Sequence, residues 1–330
     1  MPYETGNATS ISSQTHVDLL NKLRTFLTAT LPVGSRWVEQ RYISTYGSEE
    51  LILRGVGTSG SDYIYIGLKT YAIESGQGNY GLILNGFTGY NPLLSFYEQP
   101  GAMQISDTLI SLPLKNSDTI KYWFIANSRR VIIIAQVGSR WHQAYLGFGI
   151  PYGLPSQWPY PLIIGGSGSV RNSGSNVGIP VEGTTSSSAI HAFWKPINVS
   201  DGLNGLTLNV GNLAVKSPDG SYRRPYLSVS GNASSLGSGT WPYVESIRDT
   251  VYGGIINMRP VLGTNNYTLN PIMIVEGTPA NTWGEFDGIR HVTGFNLDST
   301  HTVVVGSDTW LCINNVYRED NDAMAAFKLT

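Results

Sequence analysis

The sequence predicts a mainly β protein with two antiparallel β-sandwich or barrel-like domains, preceded by one N-terminal amphipathic helix. Charged residues make up only 13% of the 330 residues, whereas the chain contains 38 glycines and 19 tyrosines. This composition disfavours long helices and favours short strands joined by turns. Short apolar runs of period two, separated by Gly, Ser and Asn clusters, indicate those strands directly. We find no internal repeat of fixed period, which argues against a propeller or a solenoid.

Residues 1–45 are predicted to form a leader and a helix that lead into the first strand. The polar residues before the helix are predicted to be flexible. Residues 17–29 (VDLLNKLRTFLTA) place apolar side chains at helical spacing. Leu20, Leu23 and Leu27 lie on this apolar face and are candidate interface residues. The face packs either on the chain's own sheets, which is the interpretation we favour, or on a neighbouring subunit.

Residues 46–166 are predicted to form the first β domain. Residues 50–54, 63–69 and 80–84 are short candidate strands separated by turn signals, as in an antiparallel meander. Residues 131–137 (VIIIAQV) form a continuous apolar run rich in β-branched residues. Such a run is typical of a strand that is buried on both faces.

A loop rich in proline and aromatic residues ends this domain. Prolines at positions 151, 155, 159 and 161 are interleaved with large rings. Because each proline fixes φ and lacks an N–H group, we expect an ordered, extended loop. Tyr152, Trp158 and Tyr160 are too large and apolar to be left in water, and they are candidate interface residues. Two interpretations stay open: the rings cover the chain's own core, or they anchor another subunit.

Residues 167–330 are predicted to form the second β domain. The composition changes after Gly166, because residues 167–188 consist mainly of Gly, Ser, Thr and Asn with little to bury. Strand-like runs follow, such as NLAVKS (212–217). Near the end of the chain, Gly306-Ser307-Asp308 is predicted to be the tight turn of a hairpin, and AAFKLT (325–330) is predicted to be the closing strand.

The sequence carries few signals of catalysis or of cofactor binding. It has no G-x-S-x-G elbow, no His or Cys pairs at metal-ligand spacing and no phosphate-binding glycine loop. The single Cys312 rules out an internal disulfide framework and is expected to be a buried thiol. The net charge of −2 gives no general attraction to nucleic acid, and no run reaches the roughly 18 apolar residues of a membrane span. We therefore predict a protein without enzymatic activity, cofactor, metal, nucleic-acid partner or membrane partner.

Two carboxylates are the best candidates for glycosidase chemistry. Glu285 and Asp287 in GEFDG, joined by Asp298, are the best candidates for a pair facing a groove. On a strand, Glu285 and Asp287 would share one face at a spacing of roughly 7 Å, which is compatible with an inverting mechanism. Any Glu-x-Asp strand passes the same test, so we favour solvated strand ends beside a glycine turn.

Arginine clusters at 129–130, 140 and 223–224 lie close to aromatic residues in the sequence. Such a mixture is compatible with a surface for nucleic acid or sugar. In a chain of negative net charge, arginine and aromatic residues more often form ion pairs and protein interfaces. We therefore favour the protein-interface interpretation.

Seven stretches of the sequence are distinctive when taken together. The most specific is YLGFGIPYGLPSQWPYPLIIGG. The others are the amphipathic helix with the Trp37 strand, GSDYIYIGLKTY (60–71), LNGFTGY (84–90), YWFIANSRRVIIIAQVG (122–138), GEFDGIRHVTGF (284–295) and GSDTWLCINNVYR (306–318). They span nearly the whole chain, and together they resemble structural proteins from the virions of tailed double-stranded DNA bacteriophages.

The resemblance implies a component of a phage particle with no catalytic residues to transfer. Its expected partners are other virion proteins and copies of itself, and its expected location is the virion, assembled in the bacterial cytoplasm. The tail apparatus, meaning neck, collar, tail or baseplate, is the expected position. The alternative is a carbohydrate-binding or carbohydrate-active tail protein that contacts the host surface.

Overall fold

The fold is mainly β, as the sequence predicts. The computed structural model describes residues 1–9, 14–45, 48–57, 60, 62–72, 79–103, 109–115, 119–170, 199–200, 207–208, 213–223, 239–241, 248–249, 254–255, 267–276, 281–292, 297–314 and 324–330. The described residues include one α-helix, α1 (Thr15–Thr25), which continues into a π-helical turn at Phe26–Thr30, and a 3-10 turn follows at Val33–Ser35.

The strands fall into two groups along the chain. The first group is β1 Tyr3–Ala8, β2 Val38–Ile43, β3 Glu50–Val56, β4 Tyr63–Ala72, β5 Asn79–Phe87, β6 Leu109–Lys115, β7 Ile120–Ala126, β8 Arg130–Val137, β9 Arg140–Phe148, β10 Ile150–Pro151, β11 Leu162–Gly166 and β12 Gly168–Val170. The second group is β13 Val199–Ser200, β14 Thr207–Leu208, β15 Leu213–Lys216, β16 Tyr222–Arg223, β17 Gly239–Trp241, β18 Arg248–Asp249, β19 Gly254–Ile255, β20 Asn270–Glu276, β21 Asn281–Val292, β22 Thr302–Val305, β23 Asp308–Asn314 and β24 Met324–Lys328.

Three large sheets contain most of these strands, and the pairing is antiparallel throughout. Sheet I has the order β1-β7-β8-β9-β11-β15-β16, and sheet II has the order β12-β6-β5-β4-β3-β2. Sheet III has the order β17-β20-β21-β24-β23-β22, and β10 also pairs with β21. The pairs β13-β14 and β18-β19 form two small sheets. None of the sheets built from described residues closes into a barrel.

The inner strands of sheet I are buried on both faces. Along β8, Val131 and Ile133 pack in one cluster with apolar residues of sheet II and of α1. The alternate residues Ile132 and Ile134 pack in a second cluster with apolar residues of sheet III. Because successive side chains of a strand point to opposite faces, the continuous apolar run supplies both cores at once. The prediction of a strand buried on both faces is confirmed.

Residues 3–8 of the N-terminal leader form a strand instead of a flexible segment. β1 pairs antiparallel with β7, with Tyr3 opposite Ile125 and Ala8 opposite Ile120, so the prediction of a flexible leader is wrong for these residues. Backbone hydrogen bonds to the neighbouring strand hold β1 in place, and an edge strand needs little apolar side-chain area. Because residues 3–8 are mostly polar, their sequence gives no indication of this strand.

Several local predictions from the second half of the chain are confirmed. β15 matches the run NLAVKS, and β24 is the closing strand. β22 and β23 form a hairpin in which Gly306 has φ +63°, a conformation that favours glycine in a tight turn. Cys312 is buried, and burial raises the pKa of its thiol to about 12.

Strand pairs connect residues on the two sides of the predicted domain boundary at residue 166. β11 pairs with β15 in sheet I, and β12 pairs with β6 in sheet II. The predicted loop 167–188 lies outside the described residues from position 171 onward. The division into residues 46–166 and 167–330 stays a prediction, but the two parts share hydrogen-bonded sheets.

Candidate assembly surface

The proline loop between β9 and β11 is ordered by backbone hydrogen bonds. The Gly149 N–H group donates to the Pro161 carbonyl at 2.9 Å, and the Tyr152 N–H group donates to the Trp283 carbonyl at 3.0 Å. The Leu154 carbonyl accepts from the N–H groups of both Gln157 and Trp158, so the chain turns at 154–158. The loop is ordered as predicted, but it is not extended throughout. A tight turn that satisfies backbone groups locally replaces the expected extended path.

Two close approaches allow β10 to lie against sheet III. A Cβ atom on Gly284 would lie 2.3 Å from the Ile150 carbonyl oxygen, and one on Gly149 would lie 2.9 Å from the Glu285 carbonyl oxygen. Larger residues at these two positions would push β10 away from β21. The absence of a Cβ atom at Gly149 and Gly284 thus allows the backbones of β10 and β21 to pair at the start of the loop.

Trp158 belongs to the interior of the protein. Its side chain is 4% exposed and packs in the cluster shared by sheets I and III. The indole Nε1–H group donates to the Lys216 carbonyl at 2.7 Å. The ring also meets Trp283 edge to face, with 5.7 Å between the ring centroids. In this structure Trp158 covers the chain's own core.

Tyr160 also packs within the chain. Its ring lies against the cluster shared by sheets I and II and meets Phe148 edge to face, with 4.9 Å between the ring centroids. Its hydroxyl donates to the Phe87 carbonyl at 2.7 Å. Burial raises the pKa of this hydroxyl well above its ordinary value. The ring therefore ties the end of the loop to sheet II.

Tyr152 differs from the other two rings, because it faces solvent. Its side chain is 49% exposed, and its neighbours at alternate positions, Ile150 and Leu154, are also exposed, Leu154 to 66%. We call Ile150, Tyr152 and Leu154 the 150–154 segment. Of the three rings predicted as interface candidates, only Tyr152 is in a position to meet another molecule directly.

A polar contact fixes the orientation of the exposed ring. The Tyr152 hydroxyl donates to Oε2 of Glu285 at 2.8 Å, and Arg290 Nη1 lies 3.0 Å from Oε1 of the same carboxylate. Burial and the hydrogen bond to the Glu285 carboxylate raise the pKa of Tyr152 to about 12. The hydroxyl therefore stays a donor at neutral pH, and one face of the ring is held against the sheet.

The three candidate leucines of the helix lie inside the protein. Leu20, Leu23 and Leu27 are buried in the cluster shared by sheets I and II. α1 packs against β1, β5, β6 and β7. This is the packing that the intramolecular interpretation describes, and it leaves these side chains inside the core rather than on a surface.

The two candidate carboxylates have separate partners. Glu285 contacts Tyr152 and Arg290, whereas Asp287 Oδ2 lies 2.9 Å from Arg130 Nε and accepts from Asn127 Nδ2 at 3.1 Å. Burial acts to raise the pKa of the Asp287 carboxyl, but the charge and hydrogen bond of Arg130, with Asn127, outweigh it and lower the pKa. Each carboxylate thus sits in its own ion pair.

The remaining candidate residues are Asp298 and the arginine clusters, and each of those described has contacts of its own. The third carboxylate, Asp298, is exposed in the turn before β22, where its backbone N–H group donates to His301 Nδ1 at 3.1 Å. The predicted arginine clusters do not gather into one surface among the described residues: Arg130 is fully buried, and Arg223 pairs with Asp219 at 2.9 Å. Arg224 lies outside the described residues.

Sequence reasoning missed the ion pair between Arg130 and Asp287. The available signal was an arginine directly before the apolar run of β8, a position at which a charge needs a partner. The partner lies 157 positions later in the sequence, and no local pattern identifies it.

Two kinds of feature are absent from the part of the chain that the structure describes. There, no group of three or more His, Cys, Asp or Glu side chains is arranged to hold a metal ion. No helix among the same residues is long and apolar enough to cross a membrane.

Comparison with known proteins gives no assignment. No protein-family model matches the chain, and no curated protein sequence matches it.

Proposed function

We propose that this protein is a structural component of a tailed bacteriophage particle, located in the tail apparatus and acting through protein–protein interfaces. Its partners are other virion proteins and copies of itself. The resemblance of the sequence to virion proteins motivates this proposal, and the exposed 150–154 segment is the observation that carries it.

The 150–154 segment has the properties of an assembly contact. Large apolar side chains are presented to solvent on a backbone that prolines and hydrogen bonds already restrain. Little conformational freedom is lost when such a segment is covered by a partner, so more of the contact energy remains for binding. Tyrosine is also one of the residue types that are enriched at protein interfaces.

The proposal includes the finer architecture. The shared clusters on the two faces of sheet I support a description as two β-sandwiches, one formed with sheet II and one with sheet III. In this description the sandwich cores provide rigidity, and the proline loop lies where the two sandwiches meet.

The carbohydrate alternative would use the same exposed ring. In that case the Tyr152 ring would stack on a sugar and Glu285 would bind its hydroxyl groups. Both oxygens of Glu285 already have protein partners, Arg290 on Oε1 and Tyr152 on Oε2. The geometry therefore favours a protein contact over a sugar contact.

Particle incorporation tests the proposal. Leu154→Lys places a charge in the 150–154 segment without touching the core, and we expect it to abolish incorporation of the protein into particles. Leu93→Lys is the matched control, because Leu93 is 91% exposed on a loop of sheet II. We expect that variant to incorporate normally.

The measurement is immunoblotting of purified particles after complementation of a phage that lacks the gene. Thermal melting of both purified variants controls for folding. Normal incorporation of the Leu154→Lys variant would contradict the role of this segment, and absence of the wild-type protein from particles would contradict the proposed function itself.

A further inference from the structure

β22 is an exposed edge strand at the end of sheet III. Among the described residues, it pairs with β23 on one side only. Val303 points inward and packs with the outer cluster of sheet III, whereas Val304 is 69% exposed and Val305 is also exposed. An edge strand presents a row of backbone N–H and C=O groups that can pair with another strand.

Other edges in the described part of the chain carry features that discourage such pairing, and β12, β16 and β17 are only two or three residues long. β1 contains Glu4, and β2 contains Glu39 and Arg41 with a break in register between them. β10 contains Pro151, which has no N–H group to donate. Charges, bulges and prolines are the usual means by which proteins protect a sheet edge. β22 (TVVV) has no charge, no proline and no bulge.

The chemistry of β22 also makes it complementary to itself. Two antiparallel copies related by a twofold axis would place valine and threonine side chains of β22 opposite one another, so no like charges would meet within the paired strands. The nearest acid at the hairpin turn, Asp308, is paired with Lys328. β-Branched residues on both strands favour the extended backbone that pairing requires.

We infer that β22 pairs edge to edge with β22 of a second copy of this chain and joins the two copies of sheet III into one continuous sheet. This rests on the proposed function, in which copies of the chain contact one another. Four residues on each side bury less than the roughly 1,000 Å² of a stable independent interface. The pairing is therefore reversible in solution and is reinforced by other contacts in an assembly.

Sedimentation velocity of the purified full chain over a wide concentration range tests this contact. We expect the mass of the wild-type protein to rise with concentration toward twice the mass of the monomer. Val304→Lys places a charge at an exposed edge position, and we expect it to remain a monomer at every concentration. Val304→Thr keeps a β-branched, uncharged side chain and should associate like the wild-type protein.

Two results would overturn the inference: a wild-type protein that stays monomeric throughout, or a Val304→Lys variant that associates as the wild type does. Amide hydrogen exchange gives a readout that needs no variant. The amides of Thr302–Val305 should exchange more slowly at high protein concentration, and exchange rates independent of concentration would reject the pairing.

The test of the β22 contact can succeed or fail independently of the test of the proposed function. Association lost in Val304→Lys with normal particle incorporation of Leu154→Lys would support the β22 contact and contradict the assembly role of the 150–154 segment. The reverse pattern would support the segment and reject the β22 contact.

Discussion

The two ends of the proline loop have the same kind of sequence and opposite environments. Trp158 and Tyr160 are held by carbonyl groups of distant strands and belong to the interior, whereas Tyr152 and Leu154 face solvent. The difference shows that proline and aromatic content determines how rigid such a loop is. Which ring becomes core depends on where a distant hydrogen-bond acceptor lies.

The largest expected effect is at the buried end of the loop. Trp158→Ala removes an indole from the core shared by sheets I and III and leaves the Lys216 carbonyl without its donor. We expect a loss of about 3 to 5 kcal/mol in the free energy of unfolding. Urea unfolding measures it, and Tyr152→Ala on the same loop is the matched comparison. Equal losses in the two variants would remove the distinction between the two ends.

The effect of intermediate size is expected in the pH dependence of the free energy of unfolding, through the buried His142 on β9 of sheet I. Burial, with the nearby charge of Arg140, lowers the pKa of His142 from 6.5 to about 3. The unfolded chain therefore binds one more proton at this residue between these two values, so stability decreases as pH falls through the range. The slope from this residue is about 1.4 kcal/mol per pH unit.

His142→Gln should reduce this slope by about 1.4 kcal/mol per pH unit, because the variant lacks the imidazole that takes up a proton on unfolding. Urea unfolding at several pH values between 3 and 6.5 measures it. Tyr152, with a pKa of about 12, stays neutral throughout this range, so the experiment reports on the interior and leaves the exposed end of the loop unchanged. An identical slope in the variant and the wild type would show that His142 is protonated in the folded protein.

The smallest effect is expected at the exposed end. Tyr152→Phe removes the hydrogen bond to Glu285, which keeps its ion pair with Arg290. We expect a loss of about 1 kcal/mol in the free energy of unfolding. Particle incorporation should persist, because the apolar ring remains. A loss as large as that of Trp158→Ala would mean that Tyr152 is as important to the core as Trp158.

The sequence predicted those strands and turns whose burial or backbone conformation produces a local pattern of residue types. The uninterrupted apolar run of β8 predicts a strand with two buried faces, and the turn residues before β23 predict its hairpin. β1 was missed because the hydrogen bonds that hold it depend on β7, more than a hundred residues away. The polar side chains of β1 carry no sign of that pairing.

The sequence predicted which segment carries the candidate surface, but it did not predict which side chains of that segment are exposed. Alternating prolines and rings indicated an ordered loop, but the contacts that bury Trp158 come from Lys216 and Trp283, both remote in sequence. The same holds for the hydrogen bond of Glu285 with Tyr152 and for the ion pair of Asp287 with Arg130, because Tyr152 and Arg130 are both remote in sequence. Local spacing suggested a catalytic pair because it carries no information on these neighbours.

Sheet I, with a core on each face, also determines how the protein responds to force and to substitution. The side chains of sheet I pack against sheet II on one face and against sheet III on the other, so disruption of sheet I exposes both cores at once. The two cores should therefore break as one cooperative unit rather than in sequence. A substitution along β8 disturbs a different core at each successive position, so this strand offers no neutral face on which sequence change can accumulate.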